Sequence, residues 1–204
     1  MSRRILLATR NAKKLEELRR ILLKRGLGEV EVLGLSDVDE FPEAPETGAT
    51  FEENALAKAH DAAKATGLPA IADDSGLSVD ALGGMPGVLS ARWAGRHGDD
   101  QANLELVLNQ LRDTPDERRG ASFVCAAAFV VPDEQEVVVR GEWPGTIIRE
   151  PRGTNGFGYD PIFVPEGESR TSAELDPAEK DSSSHRGRAL RALLPYLWEF
   201  AQTR

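Results

Sequence analysis

Apolar and polar positions change period several times along this chain, and each change marks an element. Ile5, Leu6 and Leu7 sit in the unbroken run "RRILLA", short enough for a buried strand, which "TRN" then closes. From Ala12 the apolar residues Leu15, Leu18 and Leu22 recur at helical spacing, with Asn11 placed to cap the helix and Gly26 to end it. "EVEVL", residues 29–33, alternates as a strand does, and the polar, proline-bearing stretch 36–48 reads as loop. Thr50 and Glu53 form a capping box ahead of an alanine-rich helix running to about Thr66. The apolar triplet Ala70 to Ala72 predicts a short strand ending at "DDSG", with "LSVDAL" pairing nearby and "GGMPG" as a connector. Leu104, Val107, Leu108 and Leu111 place a helix over 99–113. "ASFVCAAAFVV" and "QEVVVRGEWPG" flank "PDE" as a hairpin, which "TIIRE" extends. A glycine- and proline-punctuated loop over 151–167 encloses one short strand, Asp176 and Pro177 start a short helix, and Ser184 caps the last one. Early strand–helix alternation with a hairpin in the middle predicts an α/β fold, a mixed sheet flanked by helices, in a single domain over 1–204.

Composition narrows the function. Hydrophobic residues make up 40% of the 204, alongside 19 glycines, which is ordinary for a folded soluble domain. The 25 Lys and Arg against 34 Asp and Glu give a formal charge of −9, the wrong sign for a nucleic-acid backbone. A small anionic substrate stays open if basic residues converge locally or a divalent cation screens the charge. The single Cys125, inside an apolar run, excludes an internal disulfide and reads as buried filler. The apolar run after the basic start is four residues, too short for a signal peptide, and nothing approaches the ~20 apolar residues of a membrane span, so the expected location is the cytoplasm with no membrane partner.

Four segments carry chemistry-bearing residues. "LATRNAKK", 7–14, is a strand-to-helix loop whose helix-start N–H groups and Lys14 suit an anion, although an Asn cap followed by solvated lysines explains it equally simply. The acids Glu43, Glu46, Glu52, Glu53, Asp73 and Asp74 offer carboxylates for a Mg²⁺ ion; Glu46 from a loop and Asp74 from a strand end are placed to converge, Glu53 is accounted for as a cap, Glu52 as surface, and "DDSG" is also a good turn. "GFGYDP", 156–161, sets glycines beside Phe157 and Tyr159, which could stack on a flat base or tuck into the core. "EKDSSSHRG", 179–187, groups Lys180, Ser184, His185 and Arg186, donors that suit the O6 and N7 acceptors of a 6-oxo purine.

Together "ATRNAKKLEEL", "ETGATFEENALAKA", "ADDSGLSVDALGGMPGVLSARW", "GTNGFGYDPIF" and "EKDSSSHRGRAL" resemble, in order from Leu7 to Leu190, the inosine/xanthosine triphosphate pyrophosphatase family. The resemblance implies Mg²⁺-dependent hydrolysis of the purine nucleoside triphosphates dITP, ITP and XTP to monophosphate and pyrophosphate. It also implies an elongated α/β fold of two lobes with an active-site cleft between them, usually as a homodimer. Carried onto this chain, Thr9, Arg10, Asn11, Ala12, Lys13 and Lys14 would hold the triphosphate, and Asp74 would be general base or metal-linked carboxylate, with Glu46 a metal ligand and Asp73 a structural partner. Ser75 would touch substrate, Phe157 would stack on the base with Gly158, Tyr159 and Asp160 completing that wall, and Lys180, His185 and Arg186 would read the purine. The chain departs from the family in carrying Arg10 and Lys13 where a small residue or Gly is common. Two readings compete: a broad-specificity or modified-pyrimidine pyrophosphatase of the Maf type, and a non-catalytic nucleotide-binding module.

Overall fold

The computed structural model describes residues 3–42 and 45–202. Six strands form one sheet in the order β2-β1-β3-β4-β5-β6: β1 Arg4–Leu7, β2 Glu31–Leu33, β3 Ala70–Val79, β4 Gly120–Val131, β5 Gln135–Ile147 and β6 Phe163–Pro165. The helices are α1 Ala12–Lys24, α2 Phe51–Thr66, α3 Asp100–Gln110, α4 Pro177–Ser183 and α5 His185–Gln202. β1 pairs in parallel with β2 and β3, while β5 and β6 pair antiparallel, so the sheet is mixed as the alternation predicted. The chain divides into two compact units, one of Met1–Asp74, Ala126–Gly141 and Arg188–Arg204, the other of Ser75–Cys125 and Glu142–Gly187.

In the first unit, order β2-β1-β3 means that the chain leaves β1 to one side for β2 and returns past it for β3. Right-handed crossovers then put α1 and α2 on opposite faces of the sheet, and the strand order reverses beside the carboxyl end of β1. That reversal is where open α/β sheets bind ligands. Ile5, Leu6, Leu7, Leu18 and Ile71 are fully buried there, and Ala55, Ala59, Ala62 and Ala63 give α2 a small-residue face that lies close on the strands. The second unit has its own core, built on Leu77, Leu111, Ile162 and Phe163 with Trp143; Phe123 meets Phe163 edge-on at 4.5 Å between ring centroids. Arg119, almost fully buried, donates to the carbonyls of Leu111 at 2.6 Å, Ile147 at 2.7 Å and Ile148 at 3.1 Å, which ties the α3 end to β5.

The local signals hold. The Asn11 side chain accepts the Lys13 N–H at 3.0 Å, Thr50 accepts that of Glu53 at 3.1 Å, and Ser184 that of Gly187 at 3.1 Å. The two last helices also form as expected, parted at extended Ser184. Two readings move. β2 begins two residues late, because the Val30 N–H turns back to the Leu27 carbonyl. The larger correction concerns "DDSG", which is neither strand end nor turn: β3 runs through it unbroken for 10 residues. Turn propensity loses to ladder pairing once each carboxylate finds a partner on the face it points to.

Candidate active site

Successive strand residues point to opposite faces, so Asp73 and Asp74 cannot meet the same helix. They follow Ile71, the last β3 residue registered with β1, and stand just beyond the carboxyl end of β1, where the loop into α1 leaves the sheet. On one face the Asp73 carboxylate accepts from the Lys14 ammonium of α1 at 2.6 Å. On the other, Asp74 meets α2: Asn54 Nδ2 donates to Oδ2 at 3.0 Å and Lys58 Nζ lies 3.4 Å from Oδ1. The same Lys58 ammonium bonds Glu46 Oε1 at 2.9 Å. Glu46 and Asp74 therefore come together, here on the Lys58 ammonium, where the sequence led to an expectation of Mg²⁺.

A close approach by the loop makes this possible. Gly48 donates its N–H to Asn54 Oδ1 at 2.8 Å, and a Cβ on Gly48 would fall 2.6 Å from that oxygen and 2.8 Å from Glu53 Cβ. With its oxygen committed to Gly48, the Asn54 amide must present its NH₂ to Asp74. Burial pushes the Asp74 carboxyl above the ordinary carboxylate range; Lys58 and Asn54 oppose that rise and Glu46 adds to it. Burial acts to lower the Lys58 pKa, yet the Asp74 charge and the Glu46 bond hold it above its usual value. Two carboxylates sharing a cation are a donor set that fits Mg²⁺, which binds one or two carboxylates and completes its shell with water and substrate phosphate. Among the described residues no group of three or more His, Cys, Asp or Glu is arranged to hold a metal.

The remaining first-unit candidates line the same loop. Thr9 Oγ1 accepts the Asn11 N–H at 3.2 Å, so Thr9 and the Asn11 cap shape the turn, while Arg10, Asn11, Ala12 and Lys13 are exposed at the start of α1. Arg10 lies 3.7 Å from Glu40 in an exposed pair, which contributes little. Glu53 is used as a cap, accepting the Ala49 N–H at 2.7 Å, and Glu52 pairs with Arg140 at 2.8 Å. Glu43 lies outside the described residues.

The second unit holds the other candidates. Phe157 is 70% exposed, unusual for its type, and the Lys180 ammonium stands 5.4 Å from its ring centroid. Asp160 is not an open wall: its buried carboxylate takes the Ser172 hydroxyl at 2.7 Å, the Phe157 N–H at 2.9 Å and the Lys180 ammonium, and so braces the segment from behind. Tyr159 corrects the expectation of a stacking surface, since it is buried in the core with its hydroxyl on the Ser90 carbonyl at 2.7 Å. That burial, with the Asp100 charge, pushes its phenol pKa up. Gly158 donates its N–H to Asp100 at 2.9 Å. His185, half-buried, stacks on Phe123 at 5.0 Å between centroids, and Arg186 is buried beside it at the start of α5. Ser75, half-buried on β3, begins the second unit.

Sequence reasoning missed Lys58, Asn54 and Asp100. Asn54 and Lys58 are four residues apart on a helix otherwise faced with alanine, a spacing that puts them side by side and could have marked them.

A family model described as the Ham1 family matches residues 5–196. A protein named dITP/XTP pyrophosphatase from Nocardia farcinica is 70% identical over 194 residues, covering 95% of this chain and 94% of that one. The crystal structure of a nucleoside-triphosphatase / dITP/XTP pyrophosphatase from Mycobacterium abscessus superimposes with a TM-score of 0.81 at 64% identity, over 95% of this chain and 99% of its own. The Staphylococcus aureus Ham1 protein does so with a TM-score of 0.88 at 40% identity, over 97% and 100%.

Proposed function

The chain belongs to the Ham1 family, and on that premise we propose that it hydrolyses the non-canonical purine triphosphates dITP, ITP and XTP to the nucleoside monophosphate and pyrophosphate. The observation that supports this most directly is the pair of carboxylates, Glu46 and Asp74, drawn onto the Lys58 ammonium where the strand order reverses, with Lys14 beside Asp73.

The triphosphate end is assigned to the loop between β1 and α1 and the carboxylates beside it. Thr9 to Lys14 receive it through the exposed start of α1, and Lys14 and Lys58 supply positive charge that backbone N–H groups alone would not. Glu46 and Asp74 would hold Mg²⁺, which when bound adds positive charge against the phosphate oxygens. Asp74 orients a water and takes its proton as the water oxygen bonds to the α-phosphorus; the bond from that phosphorus to the bridging oxygen breaks, and pyrophosphate leaves with the electron pair. A carboxyl raised by burial serves as a base closer to neutral pH than an exposed one. The base is assigned to the segment around Phe157, with Phe157 stacking and Lys180, His185 and Arg186 donating to O6 and N7 of a 6-oxo purine, an arrangement that an adenine amino group does not satisfy.

Pyrophosphate release from ITP, dITP and XTP should exceed that from ATP, GTP and dUTP, and chelation by EDTA should abolish it until Mg²⁺ is restored. Equal rates on all six would favour a broad-specificity or Maf-type enzyme; tight ITP binding without turnover would favour a nucleotide-sensing module. Replacing Phe157 with Ala should raise KM for ITP roughly 10-fold, since stacking is worth about 1–3 kcal/mol per base. Its melting temperature should hardly move, because the ring is 70% exposed. Homodimerisation and a cytoplasmic location belong to the same reading, and sedimentation of the purified chain tests the first. Among the described residues no helix is long and apolar enough to cross a membrane.

A further inference from the structure

We propose that Asp100 is a positioning residue that holds the Phe157 ring out for the base, an inference that rests on the nucleotide reading of that ring. An exposed phenylalanine tends to bury itself, and here it has a place to go: an open surface pocket of about 180 Å³ beside it, lined among others by Asp100, Leu104, Thr154 and Phe157 itself. What opposes collapse is a pair of carboxylates on consecutive backbone amides. Asp160 Oδ2 accepts the Phe157 N–H at 2.9 Å, and Asp100 Oδ2 accepts the Gly158 N–H at 2.9 Å from 58 residues away in the chain. Asp160 is buried and fixed by Ser172 and Lys180, so it anchors the turn from within. Asp100 is exposed and anchors it from α3.

Asp100 is not occupied in capping its own helix. Asp99 does that, accepting the Ala102 N–H at 3.2 Å, which leaves the Asp100 carboxylate to cross to the loop. Carboxylate-to-amide bonds are stronger than neutral ones, and two acceptors on neighbouring N–H groups fix the peptide between them as one would not. Loss of the Asp100 bond frees the Gly158 end, lets the ring fall toward the pocket and weakens base binding without touching the phosphates.

The test is Asp100→Ala beside Asp100→Asn, whose amide oxygen accepts the same N–H. In nucleotide-free protein the Gly158 amide resonance should move upfield in Asp100→Ala and stay close to wild type in Asp100→Asn. With ITP, Asp100→Ala should raise KM five- to tenfold with kcat within twofold, and Asp100→Asn should return KM to within twofold of wild type. An unchanged KM in Asp100→Ala with a displaced Gly158 resonance overturns the proposal, as does a fall in kcat alone or the lack of rescue by Asn. Should wild-type protein neither bind nor hydrolyse ITP, the nucleotide reading itself fails and this role falls with it.

Discussion

Asp74→Asn is expected to cut kcat for ITP by at least a hundredfold while leaving the melting temperature within a few degrees of wild type. The amide has the same shape and can still accept from Asn54; its NH₂ then faces Lys58, which gives up the longer 3.4 Å contact and keeps its bond to Glu46 at 2.9 Å, so the packing around β3 survives. Burial works against the ionised Asp74 side chain, so a neutral replacement removes a charge that folding had to desolvate, and stability has no reason to fall on that account. Chemistry does have a reason. An amide takes no proton from water and contributes no negative charge to a cation, and proton transfer by a positioned base is worth about 10²–10⁴ in rate. Initial rates at saturating ITP and Mg²⁺, with thermal melts of the nucleotide-free protein, check both halves. Turnover within tenfold of wild type would assign the base to another carboxylate, Asp73 first.

How much of this was legible beforehand follows the range of the interaction involved. Asn11, Thr50 and Ser184 cap helices through bonds that span two or three residues, and those positions were readable one segment at a time. The hairpin of β4 and β5 was readable for the same reason, with three residues joining two strands. "DDSG" misled because its local chemistry favours a turn. What keeps it in the strand lies far off in sequence: Asp73 binds a lysine 59 residues away, and Asp74 binds Asn54 and Lys58 at separations of 20 and 16. The convergence of Glu46 with Asp74 was foreseen, whereas the lysine between them was not. Lys58 sits in an alanine-rich helix whose pattern describes its buried face, and nothing in that periodicity says that one polar position points at a strand.

The segment assigned to the base was legible as a candidate but not in its division of labour. Phe157 and Lys180 were named, yet the division of labour inside "GFGYDP" needed coordinates: one aromatic exposed, the next buried with its hydroxyl on Ser90, and an aspartate bracing the turn from behind. Adjacent residues in one short motif thus do opposite things. The burial of Tyr159 and Asp160 is what permits the exposure of Phe157, since a tightly held turn can carry an apolar ring into water where a loose one would fold it inward.

That dependence gives the second large effect, expected for Gly156→Ala. Gly156 has φ +77°, a left-handed conformation that Ala resists, and its Cβ would arrive 2.0 Å from Asp160 Oδ2 and 3.1 Å from Lys180 Nζ. Asp160 cannot retreat, because it is buried and bonded to Ser172 and to the Phe157 N–H. Left-handed strain of roughly 1–2 kcal/mol and overpacking of roughly 1–3 kcal/mol add to a loss of about 2–5 kcal/mol. At about 2–4 °C per kcal/mol for a chain of this size, the melting temperature should drop by roughly 5–15 °C. Gly158→Ala is the control: φ is +60° but nothing lies within 4 Å of its added Cβ, so only the backbone term applies and the drop should be a few degrees. At temperatures where both variants remain folded, Gly156→Ala should raise KM for ITP roughly tenfold, as far as Phe157→Ala does, and leave kcat nearly intact, the reverse of the pattern for Asp74→Asn. If Gly156→Ala lowered kcat and spared KM, the turn around Phe157 would be serving the phosphates rather than the base, and its assignment to the base would fall.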